Sequence, residues 1–301
     1  MSTKFRGTGV AMITPFHKQG TIDFTALERL IEHLIQGGVD YLVVQGTTAE
    51  TATLTREEKN ALAGVVVEIA NKRIPLVIGI GGNNTQEVIN KIRSNNLDGY
   101  DAILSVTPYY NKPQQRGLYL HYKNVATVSP LPIILYNVPS RTSVNMKPEI
   151  TLQLANEFDN IIGVKEASGN MEQIMDIIRK KPKDFLVISG DDILTLPLLG
   201  MGADGVISVV ANSFPKQFSE MVSLGLKGEM RKAREIHFRL TEFTKSVFAD
   251  GNPSGIKAAL EIQEIISNNV RLPLVKIEKA HYNQLSALIA ELQPVIQNSN
   301  H

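Results

Sequence analysis

The chain has 301 residues, 43% hydrophobic and 20% charged, enough for one large core or two ordinary ones. A formal charge of +1 gives no field that selects nucleic acid or an anionic membrane, and no Lys/Arg cluster is interleaved with aromatics. Without cysteine there are no disulfides, thiolate metal sites or cysteine nucleophiles, and neither the start "MSTKFRGTGV" nor any later run approaches the ~20 apolar residues of a membrane helix; a cytoplasmic protein is the expectation.

Val- and Ile-rich runs recur along the chain, each closed by Gly, Pro, Asn, Thr or Asp. The first is "GVAMITPF" near Val10. "DFTALERLIEHLIQGG" follows with helical spacing, placing Phe24, Leu27, Leu30, Ile31 and Leu34 on one face, and Gly37 and Gly38 stop it. After "YLVVQG" from Tyr41, the segment "TREEKNALAGVVVEIAN" opens on Thr55 with Glu58 at capping-box spacing. "PLVIGIG" from Pro75, "DAILSVTP" from Asp101, "PIILYNVP" from Pro132, "IIGVKEA" from Ile161, "FLVISGD" from Phe185 and "GVISVVAN" from Gly205 complete eight strands. Thr85, Pro148, Asn170 and Pro215 mark helix starts between them.

Continuous apolar strands alternating with helices predict a parallel sheet covered on its outer face. Eight units at a spacing of roughly 30 residues, in a span near the ~250 typical of the fold, point to an α/β (β/α)₈ TIM barrel. A doubly wound open sheet is the competitor, and the count favours the barrel. From about Gly228 three helical segments replace the strands, so residues 1–227 are expected to form the barrel and 228–301 a helical region that packs beside it or joins subunits. The tail "QNSNH" is expected to be disordered.

In such a barrel the site lies at the C-terminal ends of the strands. That rule selects Thr47, Thr48, Tyr109, Tyr110, Tyr136, Lys165, Asp191 and Asp192. Alternation puts Ile161, Gly163 and Lys165 on one face, with Gly163 leaving room there, and Tyr136 points inward from the neighbouring strand ~4.8 Å away. A neutral amine attacks a carbonyl, and an apolar mouth disfavours the ammonium. A Schiff base with a 2-oxo acid withdraws electrons from the adjacent carbon, and the resulting enamine adds to an aldehyde. Tyr136 would shuttle protons, with Thr47 and Tyr110 relaying them to water.

Plainer readings stand beside these. Lys165 can be half of an ion pair with Glu166, Tyr136 a core tyrosine, "GTTAE" a turn, and Asp191 and Asp192 caps of the next helix. "GMGADG" precedes a strand instead of following one, which rejects a dinucleotide fingerprint. "GIGGNN" is a weak anion signal, and scattered histidines argue against a metal-dependent aldolase; no metal is expected.

The motifs "GTTAE", "YYNKP", "YNVPSRT", "GVKEASG", "SGDD" and "GVISVVAN", in this order and spacing, resemble the dihydrodipicolinate synthase family from about Gly7 through the helical tail. The resemblance implies condensation of pyruvate with aspartate-4-semialdehyde on the way to diaminopimelate and lysine. It implies no cofactor beyond the covalent Schiff base, and a homotetramer built from two dimers. Lys165 matches the Schiff-base lysine, and Tyr136, Thr47 and Tyr110 match a proton relay, Tyr110 crossing the tight-dimer interface. Thr48 matches a pyruvate-carboxylate contact, Arg141 the cation for the semialdehyde carboxylate, and Gly190 and Ile207 backbone contributors near the lysine. Relatives such as N-acetylneuraminate lyase share the barrel and the lysine. Arg141 and "SGDD" argue for the synthase, because a second carboxylate needs a fixed bidentate cation. A barrel that binds a 2-oxo acid without turnover is the alternative of a different class.

An inhibitory lysine site at the dimer interface is implied by Asn83, Glu87 and Tyr109, with Thr51 and Ala52 nearby. Two positions that are often histidine in inhibited relatives are Arg56 and Lys59 here. Extra positive charge opposes a cationic effector, so weak or absent inhibition is expected.

Overall fold

A computed structural model of the chain describes residues 2–297, and the tail beyond Gln297 lies outside the described residues. In chain order the elements are β1 (Gly7–Ala11), α1 (Phe24–Gln36), β2 (Tyr41–Val44), α2 (Arg56–Ala70), β3 (Leu76–Gly79), α3 (Thr85–Ser94) and β4 (Ala102–Val106). They continue as α4 (Gln115–Val128), β5 (Ile133–Asn137), α5 (Pro139–Thr142), α6 (Pro148–Glu157), β6 (Ile161–Glu166), α7 (Met171–Lys180), β7 (Leu186–Ser189), α8 (Thr195–Gly200) and β8 (Gly205–Ser208). Last come α9 (Pro215–Leu226), α10 (Met230–Ala249), α11 (Ser254–Ile262) and α12 (Lys279–Gln297). The strands run parallel in the order β1 to β8, and β8 closes onto β1 through the pairs Gly7–Gly205 to Val10–Ser208. The fold is the expected (β/α)₈ barrel with helices after the eighth unit.

The strands hold because both faces are covered: β2, β5 and β6 are buried at every residue, which is why their sequences do not alternate polar with apolar. At the N-terminal end Gly9 leaves space that the Tyr41 ring fills, and Phe5 meets that ring edge-on at 5.5 Å. Between β5 and β6 the register slips: Ile133 pairs with Ile161, but Ile134 pairs with Gly163, so Ile162 is a bulge. The alternation that leads to Lys165 therefore begins at Gly163, not at Ile161.

Helix ends follow the chemistry of their caps. Asp23 accepts the amide of Ala26 at 2.9 Å, and Thr55 and Glu58 form a reciprocal capping box. Asn170 caps α7, and Pro148 and Pro215 occupy first turns. Two expectations shift. Asn84 caps α3, and Thr85 is its first residue. Phe24 stays 37% exposed, its place on the buried face of α1 being taken by Ala26 beside Leu27, Leu30, Ile31 and Leu34. Each of those buried leucines and isoleucines contributes roughly 1.5–3 kcal/mol.

The C-terminal helices dock on the barrel through Phe243 of α10, which meets Phe214 edge-on at 4.8 Å, with Leu240 and Val247 buried alongside. The second of them is shorter than its apolar pattern predicts: α11 ends at Ile262, and Glu264 turns left-handed at φ 61°. The chain from there runs back across the barrel mouth. No described helix is long and apolar enough to cross a membrane.

Candidate active site

One cavity of about 1100 Å³ opens at the C-terminal ends of the strands. Thr47, Thr48, Tyr136, Arg141, Lys165 and Gly190 all line it. Lys165 stands opposite Tyr136 in the β5–β6 register, and its Nζ lies 4.2 Å from the centre of the Tyr136 ring. Only 6% of Lys165 is exposed, yet among the described residues no carboxylate pairs with it. The adjacent Glu166 faces the other way. Its carboxylate accepts from the side-chain amides of Asn137 and Gln173, each at 3.1 Å, and from the Ser168 amide at 2.9 Å. Burial raises the Glu166 carboxyl above its ordinary range against those donors. The ion-pair reading of Lys165 therefore does not hold, and Glu166 is a strut of the helix layer.

Room for the lysine comes from a different glycine than expected. A Cβ on Gly163 would meet Leu186 at 2.9 Å, so that glycine serves a close approach of β7. A Cβ on Gly190 would lie 3.0 Å from Cε of Lys165. Gly190 leaves the lysine its channel.

Asp192 neither caps α8 nor lines the cavity. It is buried at the end of β7 and accepts from the Ser208 hydroxyl and from the amides of Val209 and Val210 at 3.1 and 3.3 Å, tying the β7 and β8 ends together. Burial raises its carboxyl to about 6. Asp191 lines the cavity and accepts the Ile193 amide at 3.1 Å.

Arg141, on the short helix α5, is exposed at the entrance and has no ion-pair partner among the described residues. Ile207 lies deeper in β8, and Val209, two residues on, provides that strand's share of the lining. Tyr110 is not brought to its own chain's cavity: it is 88% exposed, with a left-handed φ of 72°. Thr51, Ala52, Glu87 and Tyr109 line the same cavity, whereas Asn83 borders a neighbouring depression with His121. Arg56, Lys59 and Lys91 line the cavity as well, and burial together with Lys91 lowers the Lys59 ammonium. Groups of three or more His, Cys, Asp or Glu able to hold a metal do not occur among the described residues.

The model of the dihydrodipicolinate synthetase family matches residues 4–292. This chain belongs to that family. A 4-hydroxy-tetrahydrodipicolinate synthase of Parabacteroides distasonis is 52% identical over 287 residues, 95% of this chain and 97% of its own. The dihydrodipicolinate synthase of Aquifex aeolicus superposes with a TM-score of 0.93 at 41% identity, covering 96% of this chain and 98% of that one. A dihydrodipicolinate synthase variant described as monomeric is 39% identical, with a TM-score of 0.94 over 96% of this chain and 97% of its own.

The family motifs do not include the residues that brace the site from the C-terminal helices. Lys257 in α11, fully buried, donates to Glu50 at 2.5 Å and to the Asn269 carbonyl at 2.8 Å, above the Phe16 ring. Burial lowers its ammonium to about 8 although Glu50 opposes the shift. The other Glu50 oxygen accepts the Arg271 amide at 2.9 Å, and the Arg271 guanidinium grips Glu58 with two bonds. Asn252 donates to the Thr48 hydroxyl at 3.0 Å. The signal that exposes Lys165 also marks Lys257: a charge inside an apolar run, "GIKAALEI".

Proposed function

We infer that the chain is the enzyme that condenses pyruvate with aspartate-4-semialdehyde through a Schiff base on Lys165, giving 4-hydroxy-tetrahydrodipicolinate, the first committed step toward diaminopimelate and lysine. The observation that carries the role of Lys165 is its burial beside Tyr136 with no counter-ion among the described residues. Elsewhere in this chain a buried lysine has a carboxylate at 2.5 Å. An amine kept from water and from carboxylates is held for reaction, not for structure.

The chemistry then runs on the residues in the cavity. Lys165 attacks C2 of pyruvate, water leaves, and the cationic imine loses a proton from C3 to give an enamine. The enamine carbon bonds to the aldehyde carbon of the semialdehyde, whose oxygen takes a proton. The amino group of the semialdehyde then displaces Lys165 from C2, closing the ring and freeing the lysine. Tyr136 carries the protons, Thr47 relays them, and Thr48 holds the pyruvate carboxylate. Arg141, exposed at the entrance with no ion-pair partner among the described residues, suits the second carboxylate. No step calls for a metal or an organic cofactor.

Tyr110 is assigned to the relay of a second copy. An aromatic that is 88% exposed on a left-handed backbone costs free energy in isolation and suits insertion into a neighbour. A homotetramer of two such dimers, acting in the cytoplasm, is the assembly we propose. Thr51, Ala52, Glu87 and Tyr109, with Asn83 beside them, form the proposed lysine-effector region, weakened by Arg56 and Lys59.

Borohydride reduction in the presence of pyruvate tests the central claim. Modification is expected at Lys165 alone, and none, or a different lysine, would overturn it. Supplying aspartate-4-semialdehyde or N-acetylneuraminate to the trapped-positive enzyme then separates synthase from lyase.

A further inference from the structure

Asn252 lies 204 positions from Thr48 in the chain, in the turn between α10 and α11, and its Nδ2 donates to the Thr48 hydroxyl oxygen at 3.0 Å. Both residues line the reaction cavity, and Thr48 is only 2% exposed. A threonine hydroxyl has one proton to give and lone pairs to receive. With the amide donating to the oxygen, the proton of Thr48 has no acceptor among the described residues. It is left for whatever fills the cavity.

We propose that Asn252 is a positioning residue for pyruvate: its amide fixes the Thr48 hydroxyl with the proton directed at the substrate carboxylate. The inference rests on Thr48 being a carboxylate contact.

Two further observations support it. The other end of the same amide, Oδ1, is buried and has no hydrogen-bond partner among the described residues. Such an atom costs stability, so an asparagine kept for the fold alone would be expected to satisfy both ends. The contact is also braced from both sides. Glu50, two residues after Thr48, has a left-handed backbone at φ 55°, and its carboxylate is held by Lys257, five residues after Asn252. The turn that carries the amide and the loop that carries the hydroxyl are thus locked together by a buried ion pair. A hydrogen bond aimed at an ionised acceptor is the kind worth such bracing.

The test uses the full chain and two readouts: the pyruvate concentration that half-saturates borohydride trapping at Lys165, and the KM for aspartate-4-semialdehyde. Asn252→Ala is expected to raise the first about tenfold and leave the second near wild type. Asn252→Asp, nearly the same shape, is expected to be worse than alanine, because a carboxylate would accept the proton of Thr48 and turn it from the substrate. In a Thr48→Val background Asn252→Ala is expected to add nothing. If Thr48→Val leaves pyruvate saturation unchanged, the assignment of Thr48 falls and the inference falls with it. If Thr48→Val weakens pyruvate but the Asn252 variants do not, or do so additively, the inference alone is overturned. Equal effects of Ala and Asp, or a lowered melting midpoint with unchanged pyruvate saturation, overturn it as well.

Discussion

The Lys165 amine lies 4.2 Å from the centre of the Tyr136 ring, and no carboxylate among the described residues reaches it. The ring covers the amine, and the phenol hydroxyl is the part that can carry a proton. Tyr136→Phe keeps the cover and removes the carrier. The expected result is a fall in kcat of about 10²-fold or more, with Schiff-base trapping retained; steady-state and trapping assays on one preparation check both. An unchanged kcat would remove Tyr136 from the relay.

Gly190→Ala asks whether the lysine channel is as tight as it looks. The new Cβ would lie 2.7 Å from Ala167 Cβ and 3.0 Å from Lys165 Cε, so the amine must move. A misplaced nucleophile loses about 10²-fold in rate, read as slowed trapping by pyruvate. Trapping at the wild-type rate would show that the channel relaxes freely.

The Lys257–Glu50 pair has both side chains fully buried. Lys257→Met leaves a buried carboxylate facing an apolar side chain and should destabilise by about 3 kcal/mol, measured by denaturant unfolding. Adding Glu50→Gln should recover part of that loss, since the uncompensated charge is gone. A double variant no more stable than the single one would mean that packing, not charge, dominates.

Two carboxylates give opposite pH signatures. The hydrogen bonds from Arg271 hold Glu58 down to about 2, below its ordinary 4.5. Its stabilisation is complete above that ordinary value and is lost as pH falls toward 2, so Glu58→Gln should flatten acid unfolding in that window. Burial instead raises Asp192 to about 6 from 3.8. The native state holds that proton longer than the unfolded chain, so the Asp192 contribution is complete below 3.8 and is lost as pH rises through 6. Stability curves of Asp192→Asn should lack that decline.

Arg56, Lys59 and Lys91 line the cavity together with Glu87, Thr51, Ala52 and Tyr109 of the proposed effector region. L-Lysine should inhibit weakly or not at all, and Arg56→His with Lys59→His should strengthen inhibition. A sub-millimolar inhibition constant for the unaltered chain would refute this.

Much of this architecture is legible in the sequence because its signals are local. Val- and Ile-rich runs of strand length mark β1 to β8, and Thr55 with Glu58 marks the start of α2. Lys165 stands out as a charge at the end of an apolar strand. Lys257 is marked in the same way, but what the bracing residues touch is not. Asn252 and Lys257 meet Thr48 and Glu50 across 204 and 207 positions, and no periodicity reports a contact that long. Phe24 fits the apolar spacing of α1 yet stays exposed, because spacing gives the face of a helix but not how far the barrel extends beneath its first turn. Tyr110 is visible as a motif residue, while its direction depends on a left-handed backbone at the tyrosine itself, a conformation that its residue type does not favour.

The bulge at Ile162 decides which atoms meet. Continued without it from Ile133 opposite Ile161, the register would set Val164 beside Tyr136 and Lys165 beside Asn137. Lysine and glutamate would exchange sides of the barrel wall, the carboxylate looking into the cavity and the amine into the amide cluster of the helix layer. Pairing Ile162 regularly with Ile134, in place of bulging it out, would leave the composition of the site unaltered while turning Lys165 out of the cavity. One unpaired residue sets the phase of the sixth strand and, with it, which of two adjacent side chains faces the cavity.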